Sequence, residues 1–175
     1  MALEIPHPRV ADDKQTQNLD RLKPWADGVD EDIAALQVDA PGCRVYRATD
    51  QTGIVTATWT AVSFSNERYD PDNMWTSGAN ITIPKTGVYS LWANIKWDTN
   101  TTGNRYAYIG GSTAGVVALI HVTRASSEYQ VISSISKLTA GEAVAMYVWQ
   151  DSGADRSLLS GQPTPEFAVQ YVGAG

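Results

Sequence analysis

The residue types that perform acid–base or nucleophilic chemistry are scarce in this sequence. It has two histidines, His7 near the start and His121 in an apolar stretch, and one cysteine, Cys43. A serine or cysteine nucleophile needs a base within hydrogen-bond reach, and His121 could serve in principle. We expect His121 instead to be a half-buried strand residue or an interface contact. The prediction is therefore that the protein is not an enzyme.

Two polar turns offer oxygen atoms of the kind that Ca²⁺ binds. One contains Asp70, Asp72 and Asn73, and the other contains Asp151 and Asp155. Calcium prefers carboxylate and carbonyl oxygens, but Asp and Asn are also the residues that turns favour. We therefore predict no cofactor, and calcium stays open as an alternative.

Three aromatic residues are candidates for ligand contact. Trp92 falls on the polar face of an alternating segment, and Tyr69 and Trp75 flank a turn. Exposed Trp and Tyr side chains stack on sugar rings and anchor protein interfaces. Burial in the core or in an interface is the alternative for all three residues.

The segments that would position these residues alternate in polarity with a period of two. Residues 58–64 and 89–97 each place apolar side chains on one face, which is the pattern of a β-strand. Turn residues separate them at 70–73 and at 84–87. Further short strands without helical period predict an all-β jelly-roll sandwich. They are expected at 43–48, 105–109, 116–122, 128–135, 143–149 and 166–172.

Several of these strands are apolar on both faces. A strand in a lone antiparallel sandwich normally shows one face to water, so a second apolar face needs a second surface that buries it. The economical explanation is an interface between subunits. The residues predicted for a trimer interface are Val144, Met146, Val148, Phe167, Val169 and Tyr171.

The first 40 residues differ from the rest of the chain. They carry nine acidic and four basic residues, whereas residues 41–175 carry ten and nine. Pro6 and Pro8 predict an extended arm, and a short helix is expected from Pro24 or Asp27 to Gln37. Whether that helix forms a three-stranded coiled coil is open. We expect two domains, a docking arm at 1–40 and a jelly-roll head at 41–175.

Composition and hydropathy exclude several classes of partner. No basic patch is present that would neutralise phosphates, which argues against nucleic-acid binding. The longest aliphatic run, residues 116–120, is far too short to cross a bilayer. The first residues contain Glu4 and lack an apolar core, so no signal peptide is expected. We expect synthesis in the cytoplasm and no membrane insertion.

One run of motifs resembles a known family. The chain contains Val62-x-Phe64, then Glu67-Arg-Tyr-Asp70, then Ile81-x-Ile-Pro-x-x-Gly-Val-Tyr-x-Leu91. This order is similar to that of the C1q and tumour-necrosis-factor-like (C1q/TNF-like) jelly roll, particularly the version at the C-terminus of short bacteriophage virion proteins. The resemblance implies a homotrimer that closes through an apolar axial surface.

The predicted function is that of a non-enzymatic homotrimeric bacteriophage virion surface protein, such as a minor tail or fibre protein. Residues 1–37 would anchor to capsid or tail proteins, and the head would be exposed for attachment to a host-surface glycan or protein. The expected location is the virion. Two alternatives stay open: a capsid decoration protein that stabilises the shell, and a bacterial sugar- or protein-binding module.

Overall fold

The computed structural model describes residue 23 and residues 40–122, 129–161 and 165–175. The chain divides into two compact units, Met1–Asp39 and Ala40–Gly175. The extended arm and short helix predicted for residues 1–40 lie almost entirely outside the described residues, so they stay predictions. Nowhere in the described ranges does a helix reach the length and apolarity that crossing a membrane requires.

The second unit is built from strands because its sequence alternates in polarity and is interrupted by turn residues. The five strands predicted from residue 105 onward differ from the observed ones by at most three residues at either end, whereas the observed strand at Arg156–Leu158 was not predicted. The strands in the described residues are β1 (Gly42–Tyr46), β2 (Gln51–Ile54), β3 (Thr60–Ala61), β4 (Asn66–Tyr69), β5 (Ile81–Thr82), β6 (Gly87–Lys96), β7 (Arg105–Gly111), β8 (Gly115–Val122), β9 (Tyr129–Leu138), β10 (Ala143–Gln150), β11 (Arg156–Leu158) and β12 (Glu166–Gly173).

These strands form two main antiparallel sheets. The first sheet has the order β4-β1-β12-β6-β9, and the second has the order β3-β10-β7-β8, with β5 also paired to β10. A small additional sheet joins β11 to β2. Strands that are neighbours in a sheet but distant in sequence, such as β1 and β12, show the crossover connections of a jelly roll. The predicted all-β jelly-roll sandwich is confirmed.

The core lies between the two sheets. The alternating set Tyr89, Leu91, Ala93 and Ile95 of β6 is fully buried, as the period-two pattern predicts. Alternate residues of β7, β10 and β12 meet this set from the other strands. They include Ala107, Ile109, Val144, Met146, Val148, Phe167 and Val169, none of which has exposed surface.

This core corrects the predicted trimer interface at five of its six positions. Val144, Met146, Val148, Phe167 and Val169 fill the interior of a single subunit, so their side chains are not available to a second copy. The physical reason is that a strand with two apolar faces does not reveal in sequence which face points inward. The sixth residue, Tyr171, is half-buried and packs edge-on against Tyr89.

The core assignment predicts a large loss of stability when Met146 is truncated. Met146→Ala removes a fully buried side chain, so the free energy of unfolding should fall by about 2–5 kcal/mol. Urea denaturation at a fixed protein concentration measures this change. The control Val116→Ala, at an exposed position of β8, should stay within about 0.5 kcal/mol. If Met146→Ala left the stability unchanged and lowered the native mass, Met146 would lie in an interface between subunits and not in the core.

Candidate functional site

Aromatic side chains cover the outer face of the second sheet. Because side chains alternate along a strand, Tyr147 and Trp149 of β10 and Tyr106 and Tyr108 of β7 point away from the core. The register pairs Tyr147 with Tyr108 and Trp149 with Tyr106. The first pair is stacked with ring centroids 4.7 Å apart, and the second meets edge to face at 5.2 Å. Such geometries are the favourable ones for aromatic pairs.

Two further rings extend this cluster at its margins. Trp59, which directly precedes β3, lies with its ring 4.8 Å from Tyr108 and is 44% exposed. His121 of β8 stacks on Tyr106 at 4.1 Å with the two rings nearly parallel. We call the resulting surface the aromatic face. Its residues are Trp59, Tyr106, Tyr108, His121, Tyr147 and Trp149.

The loop that carries Trp59 is held by backbone contacts to β10 and the turn after it. Ala57 has a φ of 57°, a left-handed conformation that costs a non-glycine residue about 1–2 kcal/mol. Its N–H donates to the carbonyl oxygen of Gln150 at 2.7 Å, and Thr56 Oγ1 accepts from the N–H of Gly153 at 3.3 Å. The surroundings therefore fix this turn, and with it the position of Trp59 on the aromatic face.

The described residues leave two hollows on the aromatic face, each of about 330 Å³. This volume is at the lower end of the range for small-molecule sites. The first hollow is aromatic and is lined by Trp59, Tyr106 and Trp149. The second hollow offers more polar groups and has a floor of glycines. It is lined by Asn80, Tyr108, Gly110, Gly111, Ser112, Gly115, Val116, Ala143 and Tyr147.

The outer face of the first sheet has a different chemistry, because a buried carboxylate there joins two arginines. Glu166 of β12 accepts from Arg44 Nε at 3.0 Å and from Arg68 Nη2 at 2.6 Å. Arg68 also lies over the ring of Tyr46 at 4.3 Å. Burial raises the pKa of Glu166, but the hydrogen bonds from the two arginines outweigh it and hold the pKa below its ordinary value.

The edge strand β9 of the same sheet, separated from Glu166 by β6, exposes apolar side chains. Tyr129, Val131 and Ile135 alternate along the outer face of β9 and are 44%, 57% and 70% exposed. The neighbouring strand is β6 on one side only, so β9 ends its sheet. An apolar edge of this kind is typical of a surface that contacts another molecule.

The three aromatic residues predicted as ligand contacts do not meet in one site. Tyr69 is exposed and is paired with Arg44 on the first sheet. Trp92 lies in the same row of that sheet, half-buried, with the Arg44 guanidinium 5.5 Å from its ring. Trp75 packs against the core elsewhere, and its Nε1 donates to the Gly78 carbonyl at 3.1 Å. A ligand role for these residues stays a prediction.

The sequence reasoning did not select the aromatic face as a candidate site, although one signal for it was present. In β10, Tyr147 and Trp149 oppose Val144, Met146 and Val148. We attributed the second apolar face to a subunit interface. The signal was the type of residue, since the outer set is aromatic with polar tips whereas the inner set is aliphatic or sulfur-containing.

The aspartates of the first turn that suggested calcium accept hydrogen bonds from the backbone, and calcium binding stays an open alternative. Asp70 accepts through its two carboxylate oxygens from the N–H groups of Met74 and Trp75, each at 2.8 Å. Asp72 accepts from the N–H of Gly42 at 3.3 Å. Within the described part of the chain, no group of three or more His, Cys, Asp or Glu side chains is placed to hold a metal ion.

Comparison with solved structures supports the architecture. Murine APRIL at pH 5.0 is 10% identical, covers 77% of this chain and all of its own, and has a TM-score of 0.58. The structure of murine APRIL at pH 8.0 is 11% identical, covers 77% of this chain and all of its own, and has a TM-score of 0.56. The globular domain of zebrafish complement 1qA protein is 16% identical over 78% of this chain and all of its own, with a TM-score of 0.54.

These likenesses confirm the predicted C1q/TNF-like jelly-roll fold. No family model matches the sequence, and no curated protein matches it. At identities of 10–16%, the solved structures bear on the fold alone. Function therefore has to be argued from the surfaces described above.

The Glu166 cluster predicts a pH dependence of stability. Because the folded-state pKa of Glu166 lies below its ordinary value of 4.5, its contribution is present above about pH 4.5 and is lost as pH falls through the folded-state pKa. Glu166→Gln should flatten the fall in stability below pH 5. At pH 7 it should cost about 1–2 kcal/mol, since both arginines lose a charged partner.

Urea denaturation between pH 3 and 7 measures this dependence. Glu67→Gln is the matched control, because Glu67 lies in the same sheet on β4, the strand that carries Arg68, and is exposed. It should leave the stability within about 0.5 kcal/mol of wild type at pH 7. An acid profile of Glu166→Gln as steep as that of wild type would show that the carboxylate does not govern this transition.

Proposed function

We propose that this chain is a non-enzymatic surface protein of a bacteriophage virion, which assembles as a homotrimer and presents its jelly-roll head to the host surface. One observation carries the proposal: the head has two outer faces with exposed apolar or aromatic side chains, one on each sheet. One face serves contact between copies, and the other stays available for an external partner.

The outer face of the first sheet suits the contact between copies. Tyr129, Val131 and Ile135 expose an apolar stripe along β9, and exposed apolar stripes of this kind are typical of surfaces that contact another molecule. Arg44, Arg68 and Glu166 lie on the same face beyond β6, and their charges would select one orientation of the contact between copies. The family resemblance supports a three-fold arrangement of the copies.

Cys43 and His121 support a non-enzymatic role. Burial, with the nearby charges of Asp70 and Glu67, raises the pKa of the Cys43 thiol to about 12. A thiol with that pKa is protonated at neutral pH and is a poor nucleophile. His121 is stacked on Tyr106 as part of the aromatic face. His7 lies outside the described residues.

Residues 1–37 are proposed as the anchor to capsid or tail proteins. The support is compositional, since the acidic residues of the chain concentrate in this segment while the head is nearly neutral. The proposed location is the virion. A bacterial sugar-binding module is the second candidate, because an aromatic face would suit that function equally well.

The proposed trimer predicts a change in native mass for one substitution and not for its control. Ile135→Arg places a charge in the exposed stripe of the first sheet, where desolvating it would oppose association. Leu119→Arg introduces the same charge at a position of the second sheet that is 56% exposed. Sedimentation of the full chain should give three subunits for wild type and Leu119→Arg, and fewer for Ile135→Arg.

A wild-type monomer at micromolar concentration would contradict the assembly, and dissociation by Leu119→Arg alone would place the contact on the other sheet. Imaging of purified particles tests the location. Density at the tail would support attachment, and symmetric occupancy on the capsid would identify a decoration protein instead. Absence from the particles would select the bacterial binding module.

A further inference from the structure

The two hollows of the aromatic face share one electrostatic property. No Asp, Glu, Lys or Arg is among the residues that line them. Their chemistry is that of aromatic rings, hydroxyl groups, one carboxamide and the backbone of a glycine-rich floor. A ligand that fits this surface therefore carries no net charge and makes both apolar and hydrogen-bonding contacts.

We propose that the aromatic face binds a neutral oligosaccharide, with one sugar ring against Trp59, Tyr106 and Trp149 and the next in the glycine-floored hollow. This inference rests on the proposed attachment function and supplies its ligand class. A pyranose ring is amphipathic, because it presents C–H groups on its faces and hydroxyl groups around its edge. Stacked aromatic rings with polar tips match both features.

The geometry of the two hollows supports a ligand longer than one ring. The row of Tyr106 and Trp149 is two residues from the row of Tyr108 and Tyr147 along β7 and β10. At the rise of a β-strand, the two rows are about 7 Å apart. Trp59 contacts the rings of both rows, since its ring lies 6.3 Å from Tyr106 in the row of the first hollow and 4.8 Å from Tyr108 in the row of the second.

The second hollow supplies the polar contacts. Asn80, Ser112 and the tyrosines line it, together with Gly110, Gly111 and Gly115. A Cβ atom at Gly110 would lie 2.7 Å from the ring of Tyr108. Glycine therefore allows the Tyr108 ring to pack directly against the backbone at this position.

Nucleic acid fits this surface poorly, although bases also stack on aromatic rings. Single-stranded nucleic acid needs cationic side chains along its phosphates. The hollows have no such side chains, and the chain carries a net charge of −6. Among ligands that stack, the uncharged saccharide is the class that this face favours.

The test uses the full chain on an array of neutral hexose and N-acetylhexosamine oligosaccharides, with sialylated and sulfated oligosaccharides on the same array. Binding to neutral members is expected. Isothermal titration then gives the affinity for the neutral tetrasaccharide that binds best. Trp59→Ala should weaken it about tenfold or more, because it removes one stacking ring. Tyr147→Phe, which keeps the ring and removes one hydroxyl, should weaken it about threefold.

Val172→Ala is the control, since Val172 lies on β12 of the first sheet, outside the aromatic face, and is 60% exposed. It should leave the affinity unchanged. The inference is overturned if no neutral oligosaccharide binds, if anionic ones bind better, or if Val172→Ala causes the same loss as Trp59→Ala. It is also overturned if Trp59→Ala lowers the native mass, because the aromatic face would then join copies. A virion-borne trimer that binds no saccharide would refute this inference alone and leave the proposed function standing.

Discussion

Each strand of this head has two faces, and a two-layer sandwich can bury only one of them. This constraint governs the rest of the structure. In β10 the inner face is Val144, Met146 and Val148, which fill the core without exposed surface. The outer face of the same strand is aromatic, and it makes the second sheet a surface with its own chemistry. The outer faces of the two sheets are therefore the surfaces on which this head can contact other molecules.

A buried polar network sets which way β7 faces. Arg105 has no exposed surface, donates to the carbonyl oxygens of Thr102 and Asn104, and lies over the ring of Trp97. Gln130 accepts from Trp97 Nε1 at 3.0 Å and donates to the Arg105 carbonyl. A buried cation is costly without such contacts. With Arg105 held inside, alternation directs the next residue of the strand outward to the aromatic face.

The sequence predicted most clearly those elements whose two faces differ. The inner set of β6 is apolar and its outer set is mostly polar, so the buried face was assigned correctly. In β10 both faces are apolar, and periodicity cannot say which one points inward. Trp59 was beyond sequence reasoning for another reason. Its place depends on the left-handed turn at Ala57 and on a hydrogen bond to Gln150, a residue far along the chain.

The contrast between the two outer faces argues for dividing their roles. Contact between identical copies needs apolar area together with charges that select one orientation and reject others. The first sheet combines both on its outer face, because the exposed stripe of β9 and the cluster of Glu166 with its two arginines lie on opposite sides of β6. The hollows of the second sheet have no charged lining that could select a protein partner in this way. Ring stacking and hydrogen bonds remain as their means of recognition, and these suit a ligand with apolar faces and a polar edge.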